Sequence, residues 1–226
     1  MRPMCVSTGR GIAVKKRVAQ GCYYGVYCLL ALWCILKDLG VFTGQMNKNA
    51  LVFYTNLSNI FCFVFMASSL VSVIRGEVDA GRYFPAVKFV FTMMILVTTL
   101  VYNLLLYPYG SMPAYIADTK SFLYHLVLPV MFVLDWLIFY KRGSVKPLYP
   151  VYALTIPLTY VGYILLRAAI VKASGMTVDV MYPYFFLNVD RLGWQGFLLW
   201  MAILLVSLLA LGYGLYGLDH LICRKK

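Results

Sequence analysis

Long apolar runs, separated by short polar or proline-bearing stretches, dominate the chain. Six of them are Val18–Leu36, Ala50–Ile74, Val87–Leu106, Phe122–Tyr140, Leu148–Val171 and Leu192–Leu218. Each is close to the 20 or so residues that a helix needs to cross a hydrocarbon layer roughly 30 Å thick. None alternates apolar and polar residues in the manner of an outer-membrane strand, so the pattern predicts helices. The connections are short, which makes successive helices antiparallel neighbours in one bundle. The expected fold is all-α, a polytopic transmembrane bundle of six helices over residues 18–218. A basic tail precedes it (1–17) and another follows it (219–226). No soluble domain, low-complexity linker or internal repeat interrupts the pattern.

Composition agrees with this reading. Of 226 residues, 62% are hydrophobic and 12% charged, too few charges to cover a water-soluble domain of that size. A net charge of +12 raises the question of nucleic acid, and the distribution of that charge answers it. Arg2, Arg10, Lys15, Lys16 and Arg17 precede the first run, Arg75, Arg82 and Lys88 flank the second connection, Lys141, Arg142 and Lys146 fill the fourth, and Arg224, Lys225 and Lys226 close the chain. Fourteen of the twenty Lys and Arg thus fall on one side. Lys37, Lys48, Lys120, Arg167, Lys172 and Arg191 fall on the other. The alternation marks the basic side as cytosolic and puts both termini there. No nucleic-acid partner is expected; the charge fits membrane lipid head groups.

The first run is long for a signal peptide, and Lys37-Asp38-Leu39-Gly40 offers no cleavage site, so it is expected to stay as a signal anchor. Cys5, Cys22, Cys28, Cys34, Cys62 and Cys223 show no C-x-x-C spacing, and neither a disulfide framework nor a metal site is expected. Tyr23, Tyr24, Tyr54, Tyr107, Tyr109, Tyr140, Tyr149, Tyr182, Tyr184 and Tyr216 lie near the expected interfaces and read as an aromatic belt. Two outer segments, Leu106–Thr119 and Ala173–Arg191, read either as lids over the bundle or as interfacial loops.

Polar groups inside apolar helices are costly, so they carry the functional information. Thr55, Ser58, Asn59 and Cys62 are spaced i, i+3, i+4, i+7 and share one helix face. Asn103 lies near the outer end of the third helix, His125 near the outer end of the fourth, and Arg167 toward the outer end of the fifth. With Thr55 they form one polar layer near the outer surface. Asp135, near the inner end of the fourth helix, is a candidate proton-relay group or a residue that reaches the inner interface beside Lys141 and Arg142.

These residues sit in three short motifs: Phe53-Tyr54-Thr55-Asn56-Leu57-Ser58-Asn59, His125-Leu126-Val127-Leu128-Pro129 and Tyr182-Pro183-Tyr184-Phe185-Phe186-Leu187. In order, spacing and topology they resemble the family of androgen-induced and androgen-dependent TFPI-regulating membrane proteins and its bacterial six-helix relatives. Asp135-Trp136 looks more like the bacterial branch, which implies a bacterial plasma membrane. The resemblance implies an intramembrane hydrolase with Thr55 as nucleophile and His125 as the histidine. It also implies a lipid substrate, either fatty acid esters of hydroxy fatty acids or related acyl esters.

The chemistry requires a base for the weak threonine hydroxyl, an orienting partner for the histidine, and donors for the oxyanion. Asn103, Tyr102 and Asp190 are candidates for the partner. Ser58, Asn59, Asn103 and Arg167 are candidate substrate or oxyanion contacts. No cofactor is expected, and the G-x-S-x-G and H-E-x-x-H motifs are absent. The alternatives are a small transporter or lipid-binding protein that uses the same polar layer without chemistry, and a structural or regulatory subunit whose polar groups only join helices.

Overall fold

A computed structural model describes residues 7–76, 84–107 and 112–224. Arg2, Cys5, Arg82, Tyr109, Lys225 and Lys226 lie outside the described residues, and so do the side chains of Arg10, Lys15 and Arg224. The described residues are helical, with no strand among them, and contain six helices long and apolar enough to cross a membrane. We number these helices α1 (Ser7–Asp38), α2 (Tyr54–Arg75), α3 (Pro85–Leu106), α4 (Thr119–Phe139), α5 (Tyr149–Ser174) and α6 (Val189–Arg224).

Local chemistry fixes where α1 and α2 stop. After α1, Gly40 turns the chain at φ 82°, where a Cβ would sit 1.8 Å from the Gln45 carbonyl oxygen. No other residue fits there. At the far end of α2, Gly76 takes the left-handed conformation at φ 90°. The last carbonyls of that helix are then satisfied by α1: Arg17 Nε donates to Val73 O and its Nη2 to Ile74 O, each at 2.7 Å. A cation at a helix C-terminus is also favoured by the helix dipole. The helix starts are less legible from hydropathy. Ala50–Val52 belongs to the apolar run but forms a 3-10 turn, so α2 begins at Tyr54 and Thr55 is its second residue.

The interior between α1, α2, α3 and α4 is filled by aromatic rings. Tyr24, Tyr27, Tyr124 and Phe132 are almost wholly buried. Of the tyrosines expected at the interfaces, Tyr24, Tyr54, Tyr140, Tyr149 and Tyr184 are instead core residues. Wide flat rings fill the gap between splayed helices and pack edge-to-face, as Tyr54 does on Tyr160 at 5.0 Å. The packing is uneven. In the apolar windows of α1 to α4, 33% to 39% of residues are buried, against 22% in α5 and 6% in α6. α6 also bends at Gly193, which leaves the helical conformation at φ 65°, ψ 169°.

The end of the bundle where α1 begins and α6 ends carries a second departure from expectation. Lys88, read from the sequence as a flanking charge, is fully buried. Its Nζ lies 2.5 Å from Asp135 Oδ2 and donates to Phe132 O at 3.2 Å, with the Phe132 ring centre 3.3 Å away. Asp135 therefore neither reaches the interface nor stands beside Lys141 and Arg142. Arg142 pairs instead with buried Asp219 of α6, 3.5 Å apart, and Asp219 also accepts from the Val145 N–H at 3.0 Å. Buried charges need a partner of opposite sign, and each carboxylate has one, while the Oδ1 of each is buried and accepts no hydrogen bond.

Candidate active site

The site is made where α4 is irregular. Pro129 has no N–H to offer the carbonyl four residues earlier, and its ring crowds that carbonyl, which belongs to His125. The helix loosens to a π turn over Leu123–Val127, a form that recurs at functional sites. The freed His125 carbonyl accepts from Thr99 Oγ1 and from Asn103 Nδ2, the latter at 3.2 Å. α3 has a π turn of its own at Tyr102–Leu106, and the Tyr102 ring stacks on the imidazole with centroids 3.5 Å apart.

These contacts fix the imidazole. Its Nδ1 lies 2.9 Å from the Ser121 carbonyl, which can only accept, so Nδ1 carries the proton. Nε2 then keeps its lone pair and stands 3.4 Å from Thr55 Oγ1. The Ser121 hydroxyl completes the frame, 3.2 Å from Nδ1 and 2.7 Å from the Tyr102 hydroxyl. The histidine's partner is therefore a backbone carbonyl. Of the three groups considered from the sequence, Tyr102 stacks on the ring, Asn103 holds the main chain, and Asp190 pairs with Lys172 elsewhere.

Thr55 is braced from the other side. Ser58 Oγ donates to the Thr55 carbonyl at 2.9 Å and lies 2.7 Å from Thr98 Oγ1 on α3. Asn59 Nδ2 donates to the same carbonyl at 2.8 Å and reaches Tyr124 O at 3.5 Å. Asn103 Nδ2 is spent on Thr99 O and His125 O. Neither amide is thus free to meet an oxyanion. Arg167 is not in the polar layer either. Its Nη1 donates to Val180 O and Met181 O at 2.9 and 3.2 Å, holding the segment that leads to Tyr184.

Tyr184, read from the sequence only as an interfacial ring within the third motif, also stands beside Thr55. Its phenol faces the Thr55 side chain and the backbone of Tyr54 and Thr55, whose N–H groups open α2 and have no acceptor within the helix. Burial raises the phenol pKa above its ordinary value, although those contacts pull the other way, so the group stays O–H. A narrow apolar cleft of about 80 Å³ opens beside Thr55, between α3, α5, α6 and the Tyr184–Leu187 turn. A second, of about 360 Å³, lies between α2, α3 and α5, and Tyr54 and Tyr160 line both. Neither is lined by Lys88 or Asp135.

Six apolar helices and a threonine–histidine pair set among them define a multi-pass α-helical membrane protein with a polar site in its interior. No family model, curated protein or solved structure matches the chain.

Proposed function

We propose that the protein is a membrane-embedded lipid ester hydrolase in which Thr55 is the nucleophile and His125 the general base. The observation that carries this reading is one line of contacts. Ser121 O holds Nδ1–H, and Nε2 stands 3.4 Å from a hydroxyl on the wall of an apolar cleft. A carbonyl that fixes the tautomer leaves the basic nitrogen facing the nucleophile, the arrangement that activates a hydroxyl.

The Thr55 proton passes to Nε2 as Oγ1 bonds to the ester carbonyl carbon. The alcohol leaves with that proton, and the acyl group stays on Thr55. Water then gives its proton to Nε2 and attacks the acyl-threonine, releasing the acid and restoring the hydroxyl. The oxyanion of each step has two N–H groups at the start of α2 and the Tyr184 phenol within its neighbourhood. The apolar lining suits an acyl chain. The resemblance to the androgen-induced family supports fatty acid esters of hydroxy fatty acids, or related acyl esters, as substrates. A bacterial plasma membrane with both termini cytosolic belongs to the same reading.

The test is to incubate the purified protein with a hydroxyl-reactive fluorophosphonate and map the label. Attachment at Thr55, lost in His125→Ala, is the expected result. A folded protein that never labels would leave the cleft as a binding or transport site. Orientation is checked separately: a reporter that folds only in the cytosol, fused after Lys226, should be active.

A further inference from the structure

Next to the reactive pair, the last residue of α1 holds a carboxylate whose arms end beside each member of it. Asp38 Oδ1 pairs with Lys120 Nζ, and its Oδ2 accepts from Asn56 Nδ2. Asn56 follows Thr55 in the first turn of α2, and the same amide nitrogen donates to Ala50 O at 2.6 Å. Lys120 precedes Ser121 in the first turn of α4, and the Ser121 carbonyl is what holds His125 Nδ1. Asn47 Nδ2 donates to the Asp38 main-chain carbonyl at 3.1 Å, which anchors the backbone that carries the carboxylate. Asp38 is 10% exposed and Asn56 is buried, which shields the α2 arm from competing water, while Lys120 of the α4 arm is 31% exposed.

We infer that Asp38 is a positioning residue: it sets the Thr55–His125 separation by tying the first turn of α2 to the first turn of α4. The inference rests on the hydrolase reading for its consequence in rate, and on geometry alone for the separation. At 3.4 Å the pair is at the long end of hydrogen bonding, so a small splay of the two helices breaks it. Misplacement by about 1 Å can cost on the order of 10²-fold in rate without touching substrate affinity.

The experiment uses the full chain in detergent micelles and compares Asp38→Ala, Asp38→Glu and Lys120→Met with the wild type. Asp38→Ala is expected to lower both kcat and the rate of Thr55 labelling by about 10- to 100-fold, with KM within about twofold. Asp38→Glu is expected to recover part of the loss. Lys120→Met removes only the α4 arm and is expected to lose about tenfold, and it carries the test should Asp38→Ala not fold. A wild-type labelling rate in a folded Asp38→Ala or Lys120→Met protein overturns the proposal. A second readout does not depend on chemistry. The side-chain ¹⁵N shift of His125 Nε2 in Asp38→Ala should move toward its value in Thr55→Ala. An unmoved shift overturns the clamp. Absence of wild-type labelling accompanied by a moved shift would instead remove the hydrolase reading and keep the clamp.

Discussion

His125 and Asp135 stand on the same helix, and each meets a polar partner on a neighbour, yet their surroundings differ in nearly every respect. The Lys88–Asp135 pair has both side chains all but inaccessible, is covered by Phe132 and lines neither cleft. The Thr55–His125 pair is half-buried, and Thr55 forms part of a cleft wall. One pair is sealed from both clefts, with charge meeting charge at 2.5 Å. The other is held by its backbone and by stacking, with Thr55 Oγ1 and His125 Nε2 3.4 Å apart beside a cleft. A closed pair resists change and joins α3 to α4, whereas an open pair beside a cleft can act on what enters. That difference separates a structural polar group in lipid from a chemical one more sharply than does residue type.

The comparison is broken most directly at the open pair. Thr55→Ala or His125→Ala should each lower ester hydrolysis by at least about 10³-fold, and the double variant should be little worse, because residues acting as one unit are non-additive. Thr55→Ala should melt close to wild type. Turnover of a lipid ester in micelles, beside a thermal melt, reads both.

At the closed pair the effect should fall on stability. Asp135→Asn or Lys88→Met leaves a buried partner uncompensated and should destabilise by roughly 3–5 kcal/mol, with turnover per folded molecule retained. Lys88→Met combined with Asp135→Leu should recover most of that loss. A folded Asp135→Asn protein with no activity would point to proton movement through Asp135 and so to the transport reading.

Tyr184→Phe should lower kcat by about 10²-fold with little change in KM. The pH profile sharpens this. Burial raises the phenol pKa, so the folded protein should keep that donor at pH 10, where a free tyrosine is half ionised, and lose it only at higher pH. The stability owed to this group is likewise complete below the ordinary tyrosine pKa and drains away as pH rises through the raised one. The smallest effect belongs to the cleft. Leu204→Trp should disfavour long acyl chains against short ones by roughly tenfold in kcat/KM.

Much of the architecture is legible in the sequence. Six apolar runs become six helices, most ends shifted by a few residues and α1 beginning eleven residues before its run, because hydropathy registers burial and not hydrogen bonding. Ala50–Val52 is apolar enough to extend a run and still turns as 3-10. Thr55 and His125 could be singled out because polar groups in apolar helices stand out. Their supports could not. The acceptor on Nδ1 is the main-chain carbonyl of Ser121, and a carbonyl leaves no mark in a sequence. Pro129, four residues after His125, is the one local sign that a neighbouring helix would be asked to satisfy the histidine's own carbonyl. Lys88 misleads for the opposite reason. A lysine near a helix end looks like a flanking charge, and only its pairing with a residue 47 positions away reveals otherwise. Asn59 and Asn103 look like free donors until the backbone carbonyls they hold are seen.

Arg17 bears on how the protein is made. Its bonds to Val73 O and Ile74 O close α1 against α2 using only residues from the first third of the chain. During synthesis that hairpin can close as soon as α2 has entered the membrane, without waiting for α3 to pack against it. The face bearing Thr55, Ser58 and Asn59 then waits in lipid for Thr98 and Tyr124 to arrive. Thr55 is installed first on a preassembled wall, and His125 is delivered later by a helix that finds the wall already standing.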